Sequence, residues 1–264
     1  MTTTPARRKK ALDEIRKAVT AAPHASVVHY ACEDFDRPDG RIAAIAVRNL
    51  ETGATTLFDV TSKLPSGMTP KSAQSADLDL AERTMLAEFD AFVQGHPNHF
   101  WLHWNMRDAL FGFDALQRRH RALSGAPGPS PAPHLRIDLA SRMFDLYGDR
   151  YAASPSRLET VAAKNGLSMV NLMGGLEQGR LVTQGDYRRV ERSLLNRVDI
   201  LYSIAIKASD GTLKTDARWY DGIGGIGQAM HWLREHPVYI AILVFGGVVS
   251  ALGAAFKVWT FWPW

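Results

Sequence analysis

Residues 41–60, RIAAIAVRNLETGATTLFDV, contain two β-prone segments on either side of a turn. Residues 41–48 and residues 54–60 are rich in Ile, Val, Ala, Thr and Phe, a composition that favours extended strands. The residues between them, Asn49 to Gly53, begin with Asn and end with Gly, as is typical of a short hairpin turn. The stretch therefore predicts two neighbouring antiparallel strands.

The segments before and after the hairpin predict an α/β domain. A strand predicted at residues 26–32, SVVHYAC, precedes the hairpin, and apolar residues at helical spacing predict a helix over residues 77–94. Further along, the sequence predicts strands at 99–104 and 135–139, a helix after the first of these, and helices at 141–147, 156–166 and 186–208. Ser156 to Glu159 match a capping box. The order is three antiparallel strands, a helix, a strand, a helix, a strand and several helices.

The composition is that of a globular protein in a reducing compartment. The chain has 264 residues, 46% of them hydrophobic, so that it can bury a sizeable core. Its single cysteine, Cys32, excludes an internal disulfide. The first 20 residues are polar and basic and do not resemble a secretory signal.

The positive charge is concentrated near the amino terminus. Residues 1–20 hold six basic and two acidic side chains, which account for the whole net charge of +4. We predict a basic N-terminal helix over residues 1–24. Two interpretations of this segment are open: it contacts anionic lipid or nucleic acid, or it is a solvated helix with a basic start.

Residues 238–256, VYIAILVFGGVVSALGAAF, contain no charged side chain. As a helix they would extend about 28 Å at ~1.5 Å per residue, close to the thickness of the hydrocarbon core of a bilayer. Tryptophans flank the segment on both sides, and basic residues are more frequent before it than after it. We therefore predict a single C-terminal transmembrane helix at residues 237–258, in the inner (cytoplasmic) membrane of a bacterium, with the N-terminus in the cytoplasm. A buried core helix is the alternative.

Small residues indicate two further features of this end of the chain. Gly246, Ser250 and Ala254 fall every four residues, on one face of the predicted membrane helix, and this predicts a homo-oligomer through that helix. The glycines between residues 222 and 227 follow a polar stretch and no predicted strand. We therefore interpret residues 211–236 as a flexible joint and not as a dinucleotide-binding loop.

The order of strands and helices over residues 26–208 resembles the ribonuclease H-like fold, and most closely its DEDD 3′–5′ exonuclease branch. The resemblance implies a mixed α/β sheet flanked by helices over residues 25–210. It also implies a site in which four carboxylates hold two divalent metal ions, Mg²⁺ or Mn²⁺, which activate a water and stabilise the leaving oxygen.

Three carboxylates match positions of the family's site. The family has an Asp-x-Glu at the end of the first strand, which matches Ala31-Cys32-Glu33, so that the Glu is present and the Asp is absent. Its next carboxylate follows a His-Asn corner after the fourth strand. There this chain has Trp104-Asn105-Met106-Arg107-Asp108, with Asp114 as an alternative to Asp108. The family's last carboxylate, on the final helix, matches Asp199.

The surroundings of these carboxylates leave alternatives open. Leu194 and Leu195 stand where the family has a Tyr or His four or five residues before its last Asp. Asp199 lies in an otherwise apolar helix, so that it must border a polar cavity or pair with a cation. At the corner, the alternative is a helix start, with Asn105 as the cap and Asp108 in the first turn.

These residues define a candidate site and two functional hypotheses. Glu33, Asp108 and Asp199 are the candidate catalytic and metal-binding residues, and Asn105 and Arg107 are candidate binding residues. Because one carboxylate and the Tyr or His are absent, the first hypothesis is a catalytically degenerate, membrane-tethered domain. It would respond to a nucleic acid or nucleotide as a sensor or scaffold, for example as a defence or stress effector. The second hypothesis is an active, metal-dependent 3′–5′ exonuclease localised to the membrane.

Overall fold

The computed structural model describes residues 4–34, 40–107, 110–128 and 130–217. The predicted transmembrane helix and residues 218–236 of the predicted joint lie outside these ranges. Within them, no helix is long and apolar enough to cross a membrane. The described part of the chain is a mixed α/β structure in which helices flank a five-stranded sheet.

The sheet is mixed, and its five strands are those that the sequence predicts. They are β1 (Ala25–Cys32), β2 (Ile42–Asn49), β3 (Thr55–Asp59), β4 (Phe100–His103) and β5 (Arg136–Asp138). Their order across the sheet is β3-β2-β1-β4-β5. β2 is antiparallel to β1 and β3, whereas β4 is parallel to β1 and β5. Each predicted strand end agrees with the observed one to within one residue.

The turn between β2 and β3 is fixed by Asn49 and Gly53. The side-chain oxygen of Asn49 accepts hydrogen bonds from the backbone amides of Glu51 and Thr52, both at 2.9 Å. Gly53 has a φ of +66°, where a residue with a Cβ would be strained. The hairpin predicted from these residues is therefore confirmed.

The central strand β1 is buried along its whole length. Its parallel pairing with β4 ends at the pair Val27 and Leu102, while β1 itself continues to Cys32. β4 ends at His103, so that the carboxyl half of β1 extends beyond its pairing with β4.

Seven α-helices surround the sheet in the described ranges. They are α1 (Pro5–Thr20), α2 (Ser75–Gln94), α3 (Phe113–Ser124), α4 (Leu139–Tyr147), α5 (Arg157–Lys164), α6 (Gly175–Thr183) and α7 (Tyr187–Ser209). α7 packs along β1 and β2, and α1 packs against α4 and α7. Helix α6 is not among the predicted helices, because GLEQGRLVT combines two glycines with few apolar positions.

The N-terminal helix α1 shares the core of the domain. Ala11, Ile15 and Ala18 are fully buried on the face of α1 that contacts the other helices. Thr4 caps the helix by accepting a hydrogen bond from the backbone amide of Arg7 at 3.3 Å. Three basic residues at its start, Arg7, Lys9 and Lys10, stay exposed. The helix is therefore packed on one face and basic on the other.

Two capping interpretations made from the sequence are wrong. α3 begins at Phe113 with Gly112 as its N-cap, so that Asn105 does not cap it. Ser156 is the N-cap residue of α5, but its side chain makes no capping hydrogen bond. Its ψ of 51° departs from the extended conformation in which an N-cap hydroxyl reaches the first helical amides.

Candidate functional site

A cavity of about 670 Å³ lies beside the carboxyl ends of β4 and β5. Trp104 and Asn105, which follow β4, and Ala140, in the first turn after β5, line it. His29 lines it from β1, beyond the last residue that pairs with β4. The cavity therefore lies beside the part of β1 that extends beyond its pairing with β4. The carboxyl ends of parallel strands are where α/β proteins commonly bind ligands.

One edge of the cavity is organised by Asp138, the last residue of β5. Its Oδ1 accepts a hydrogen bond from the backbone amide of Asn105 at 2.8 Å, and its Oδ2 accepts one from the hydroxyl of Ser141 at 2.6 Å. Arg107 donates to the same carboxylate and, at 3.1 Å, to the side-chain oxygen of Asn105. These bonds hold Asn105 at a φ of +58°, a left-handed conformation that Asn tolerates better than most residues.

Asp138 and its neighbour His103 have shifted pKa values. Burial alone would raise the pKa of Asp138. The hydrogen bonds from Ser141, Asn105 and Arg107, together with His103, outweigh the effect of burial and lower the pKa. Burial lowers the pKa of His103 to about 4, although Asp138 acts in the opposite direction. At neutral pH the pair is therefore a carboxylate beside a neutral imidazole.

The inner wall of the cavity carries a buried cation, Arg197, from the middle of α7. Only 8% of this residue is exposed. One terminal nitrogen donates to the backbone carbonyl of Met173 at 2.6 Å, whereas Nε is buried and has no hydrogen-bond partner. Burial lowers the pKa of Arg197, and the charge of Glu159 acts against that shift. No ion pair within 4.0 Å joins Arg197 to a carboxylate in the part of the chain that the structure describes.

His29 lies near Arg197 and is neutral. Burial, followed by the charge of Arg197, lowers its pKa well below the ordinary value. Its Nδ1 lies 3.0 Å from the backbone carbonyl of Tyr30. Because a carbonyl only accepts hydrogen bonds, Nδ1 carries the proton and Nε2 is an acceptor. A ligand that approaches Nε2 would have to offer a hydroxyl or an N–H group.

The start of α6 also faces the cavity. Gly174 is the N-cap of this nine-residue helix and supplies no side-chain hydrogen bond to its first turn. Gly175 and Gln178 line the cavity. Gln178 is 1% exposed, and its Nε2 is buried without a hydrogen-bond partner. Backbone and side-chain donors therefore meet on the same side as Arg197.

Aromatic side chains form much of the remaining wall. They are Trp104, Phe111, Phe144 and Tyr151. The guanidinium of Arg157 lies 5.4 Å from the centre of the Tyr151 ring, and Phe111 stacks on Tyr30 with ring centres 4.4 Å apart. Such a wall can contact a flat, partly apolar group.

The structure does not bring Glu33 and Asp199 together. Asp199 pairs with Arg48 at 2.9 Å, and Arg48 lies opposite Val27 near the start of β1. Glu33 follows the other end of that strand, and its backbone packs against Gly179. At ~3.3 Å per residue, the two positions along β1 are about 20 Å apart. One metal ion, whose ligands lie roughly 2–2.6 Å from it, cannot be bound by both residues.

The other predicted site residues lie in different places. Asp108 lies outside the described residues. Asp114 is an exposed residue of the first turn of α3, 3.6 Å from Arg136. Asn105 and Arg107 do line the cavity. Among the residues that the structure describes, no group of three or more His, Cys, Asp or Glu side chains is arranged to hold a metal ion.

The residues that the sequence did not single out are His29, Asp138 and Arg197. A signal existed for Arg197, which falls on the buried stripe of α7 between Leu194 and Leu201, whereas Asp199 falls beside it. A charged residue at a buried position of an amphipathic helix indicates a functional role.

Comparisons with protein-family models, curated proteins and solved structures found no match.

Proposed function

We propose that residues 25–210 form a ribonuclease H-like domain that binds a nucleotide or nucleic acid in this cavity without cleaving it. The element order supports the resemblance, with an antiparallel unit β3-β2-β1 followed by the parallel strands β4 and β5. This is the order on which the likeness to the exonuclease branch rests.

The observation that carries the proposal is the charge of the cavity wall. In the exonuclease branch, the first strand, the segment after the fourth strand and the final helix supply carboxylates. Here the same three elements supply His29, Arg107 and Arg197 to the cavity. Three guanidinium groups, from Arg107, Arg157 and Arg197, and two carboxylates, from Asp145 and Glu159, line the cavity. The excess of guanidinium groups disfavours divalent cations and suits an anionic ligand.

The remaining chemistry of the cavity supports a nucleotide. Its volume of about 670 Å³ lies within the roughly 300–1,000 Å³ of typical small-molecule sites. Aromatic side chains, among them Trp104 and Tyr151, offer surfaces for a base, and arginines offer donors for phosphate oxygens. The cavity thus has both kinds of contact that a nucleotide needs.

The membrane helix at residues 237–258 completes the proposal. It tethers the domain to the cytoplasmic face of the membrane, and clustering of its small-residue faces on ligand binding would make the protein a sensor or scaffold. The sequence of residues 238–256 supports this part of the proposal.

The test is a binding and degradation assay with purified full-length protein. We expect fluorescence anisotropy to detect binding of nucleotides or short single strands in EDTA, and we expect no strand shortening after Mg²⁺ or Mn²⁺ is added. Metal-dependent 3′–5′ digestion that is abolished by Glu33→Gln would establish the active exonuclease instead. Absence of any nucleotide or strand binding would refute the binding function itself.

A further inference from the structure

We propose that the inner end of the cavity is a subsite for a phosphate monoester, formed by the start of α6, Gln178 and Arg197. This inference rests on the proposed nucleotide-binding function and names the group that the site recognises. The phosphate would come from a free nucleoside monophosphate or from the phosphorylated end of a strand, which share this chemistry.

The first support is the bare N-terminus of α6. The first backbone amides of a helix lack partners within the helix, and their dipoles attract anions. At α6 the N-cap is Gly174, which offers no capping side chain, and a Cβ built on it would meet no atom within 4 Å. Glu177, the acidic residue of the first turn, lies 3.7 Å from Arg189. The start of α6 therefore has no side-chain cap, and its first residue, Gly175, lines the cavity.

The second support is independent and comes from Arg197. Its bond to the carbonyl of Met173 attaches the guanidinium to the residue directly before Gly174. The buried Nε has no partner, and a buried cation without a counter-ion is costly. A phosphate would satisfy both the guanidinium and the helix amides, and the unpartnered amide nitrogen of Gln178 is a further donor.

Other charges around the cavity do not replace the phosphate. The carboxylate of Asp199, two residues after Arg197, is bound to Arg48. Asp145 is bound to Arg142 at 2.9 Å, and Asp138 to Arg107. Glu159 lines the cavity but makes no direct ion pair with Arg197. Arg197 thus stays available to an incoming anion.

The rest of the cavity favours a phosphate monoester of a nucleoside over a small carboxylate. A carboxylate would leave most of the volume and the aromatic wall empty. His29 presents Nε2 as an acceptor, which fits a ligand that also carries a hydroxyl, such as a sugar. The full ligand therefore combines phosphate, sugar and base.

The experiment is isothermal titration of full-length protein in EDTA. The titrants are nucleoside 5′-monophosphates, the matching nucleosides, inorganic phosphate, and a short oligonucleotide with and without a 5′-phosphate. The variants are Arg197→Met, which removes the guanidinium, and Gly174→Asp, which places a carboxylate at the helix start. Arg192→Met, an exposed arginine of the same helix, and Ala6→Asp, in the first turn of α1, are the matched controls.

We expect both site variants to weaken binding of the phosphorylated ligands by about tenfold or more, while the controls bind as the wild type does. Thermal unfolding separates this loss from misfolding, because Gly174→Asp supplies an N-cap and keeps or raises Tm. Preference for the mononucleotide or for the phosphorylated strand identifies the source of the phosphate, and either supports the subsite.

Two results would overturn the inference in different ways. If nucleotides bind but neither site variant weakens them, the subsite is wrong and the proposed function stands. If no phosphate compound binds, both are wrong. If inorganic phosphate binds in an Arg197-dependent manner but no nucleotide or strand does, the subsite stands and the proposed function fails.

Discussion

Asp199 lies 2.9 Å from Arg48, and this contact holds the carboxylate near the start of β1, the end of the strand opposite to Glu33. The match to the family's motif predicts that Asp199 and Glu33 share one metal site. In an otherwise apolar helix, Asp199 must either border a polar cavity or pair with a cation. The ion pair with Arg48 meets the second requirement. The side chain is half exposed, so that the pair lies at the surface of the protein.

Replacing Asp199 should therefore have little effect. Surface ion pairs contribute roughly 0–1 kcal/mol, so that Asp199→Asn should lower the free energy of unfolding by less than about 1 kcal/mol. Nucleotide binding should not change. Urea denaturation and titration check this, and loss of a bound Mn²⁺ in the variant would restore the metal-site hypothesis.

Asp138 should matter much more for stability. Asp138→Asn removes the carboxylate that binds the backbone amide of Asn105, Arg107 and the hydroxyl of Ser141. We expect the free energy of unfolding to fall by about 2 kcal/mol, because buried polar groups lose their partners. Asp114→Asn is the control, since Asp114 is exposed. Equal losses in urea denaturation for the two variants would contradict the role of Asp138.

Because His103 is buried, we expect the protein to lose stability in mild acid. Its folded-state pKa is about 4, below the 6.5 of an ordinary histidine, so that the unfolded chain binds more protons between these values. The free energy of unfolding should thus fall as the pH decreases from 6.5 to 4. One such histidine contributes a slope of up to about 1.4 kcal/mol per pH unit.

The corresponding measurement is chemical denaturation at several pH values. His103→Asn should flatten the slope, whereas His134→Asn should not, because His134 is exposed. A slope that is the same in wild type and His103→Asn would show that this imidazole does not govern the acid response.

We expect Arg197 to favour binding of the nucleotide but to lower the stability of the protein without ligand. Replacing a buried, unpaired charge by an apolar side chain of similar length is often neutral or stabilising. Arg197→Met should therefore keep or raise Tm in the absence of ligand while it abolishes the stabilisation by added nucleotide. A fall of several degrees in Tm would indicate that the guanidinium instead supports the carbonyl of Met173 as a structural element.

The membrane helix makes a separate prediction. The uncharged stretch at residues 238–256 should keep the full-length protein in the membrane pellet after carbonate extraction. A chain ending at Asp216 should appear in the supernatant. Recovery of the full-length protein in the supernatant would contradict the predicted transmembrane helix.

The strands could be predicted from the pattern of neighbouring residues in the sequence, whereas the arrangement of the residues around the cavity could not. The hairpin of β2 and β3 depends on nearby residues such as Asn49 and Gly53, whose turn chemistry is visible in the sequence. Asn105 was recognised as part of a site, but its conformation depends on Asp138, which is 33 residues away in the chain. Local patterns carry no information about such a contact.

On α7 the motif and the helical periodicity point to different residues. The motif points to Asp199, whereas helical periodicity places Arg197 on the buried face. A search for charged residues on the apolar stripe would have found Arg197 first. Burial on a helix was therefore a better guide to the cavity than the match to a family position.

The position of the cavity beside the part of β1 that extends beyond β4 has a thermodynamic consequence. The walls of the cavity come from β1, several helices and the loops between elements, which are distant in the sequence, so that the cavity exists only when the whole domain is folded. A ligand held there binds the folded state alone. At a free concentration of about 100 times Kd, it would stabilise the fold by about 2.7 kcal/mol and reduce the unfolded fraction accordingly. The lifetime of the protein in the presence of proteases would then report the concentration of its ligand.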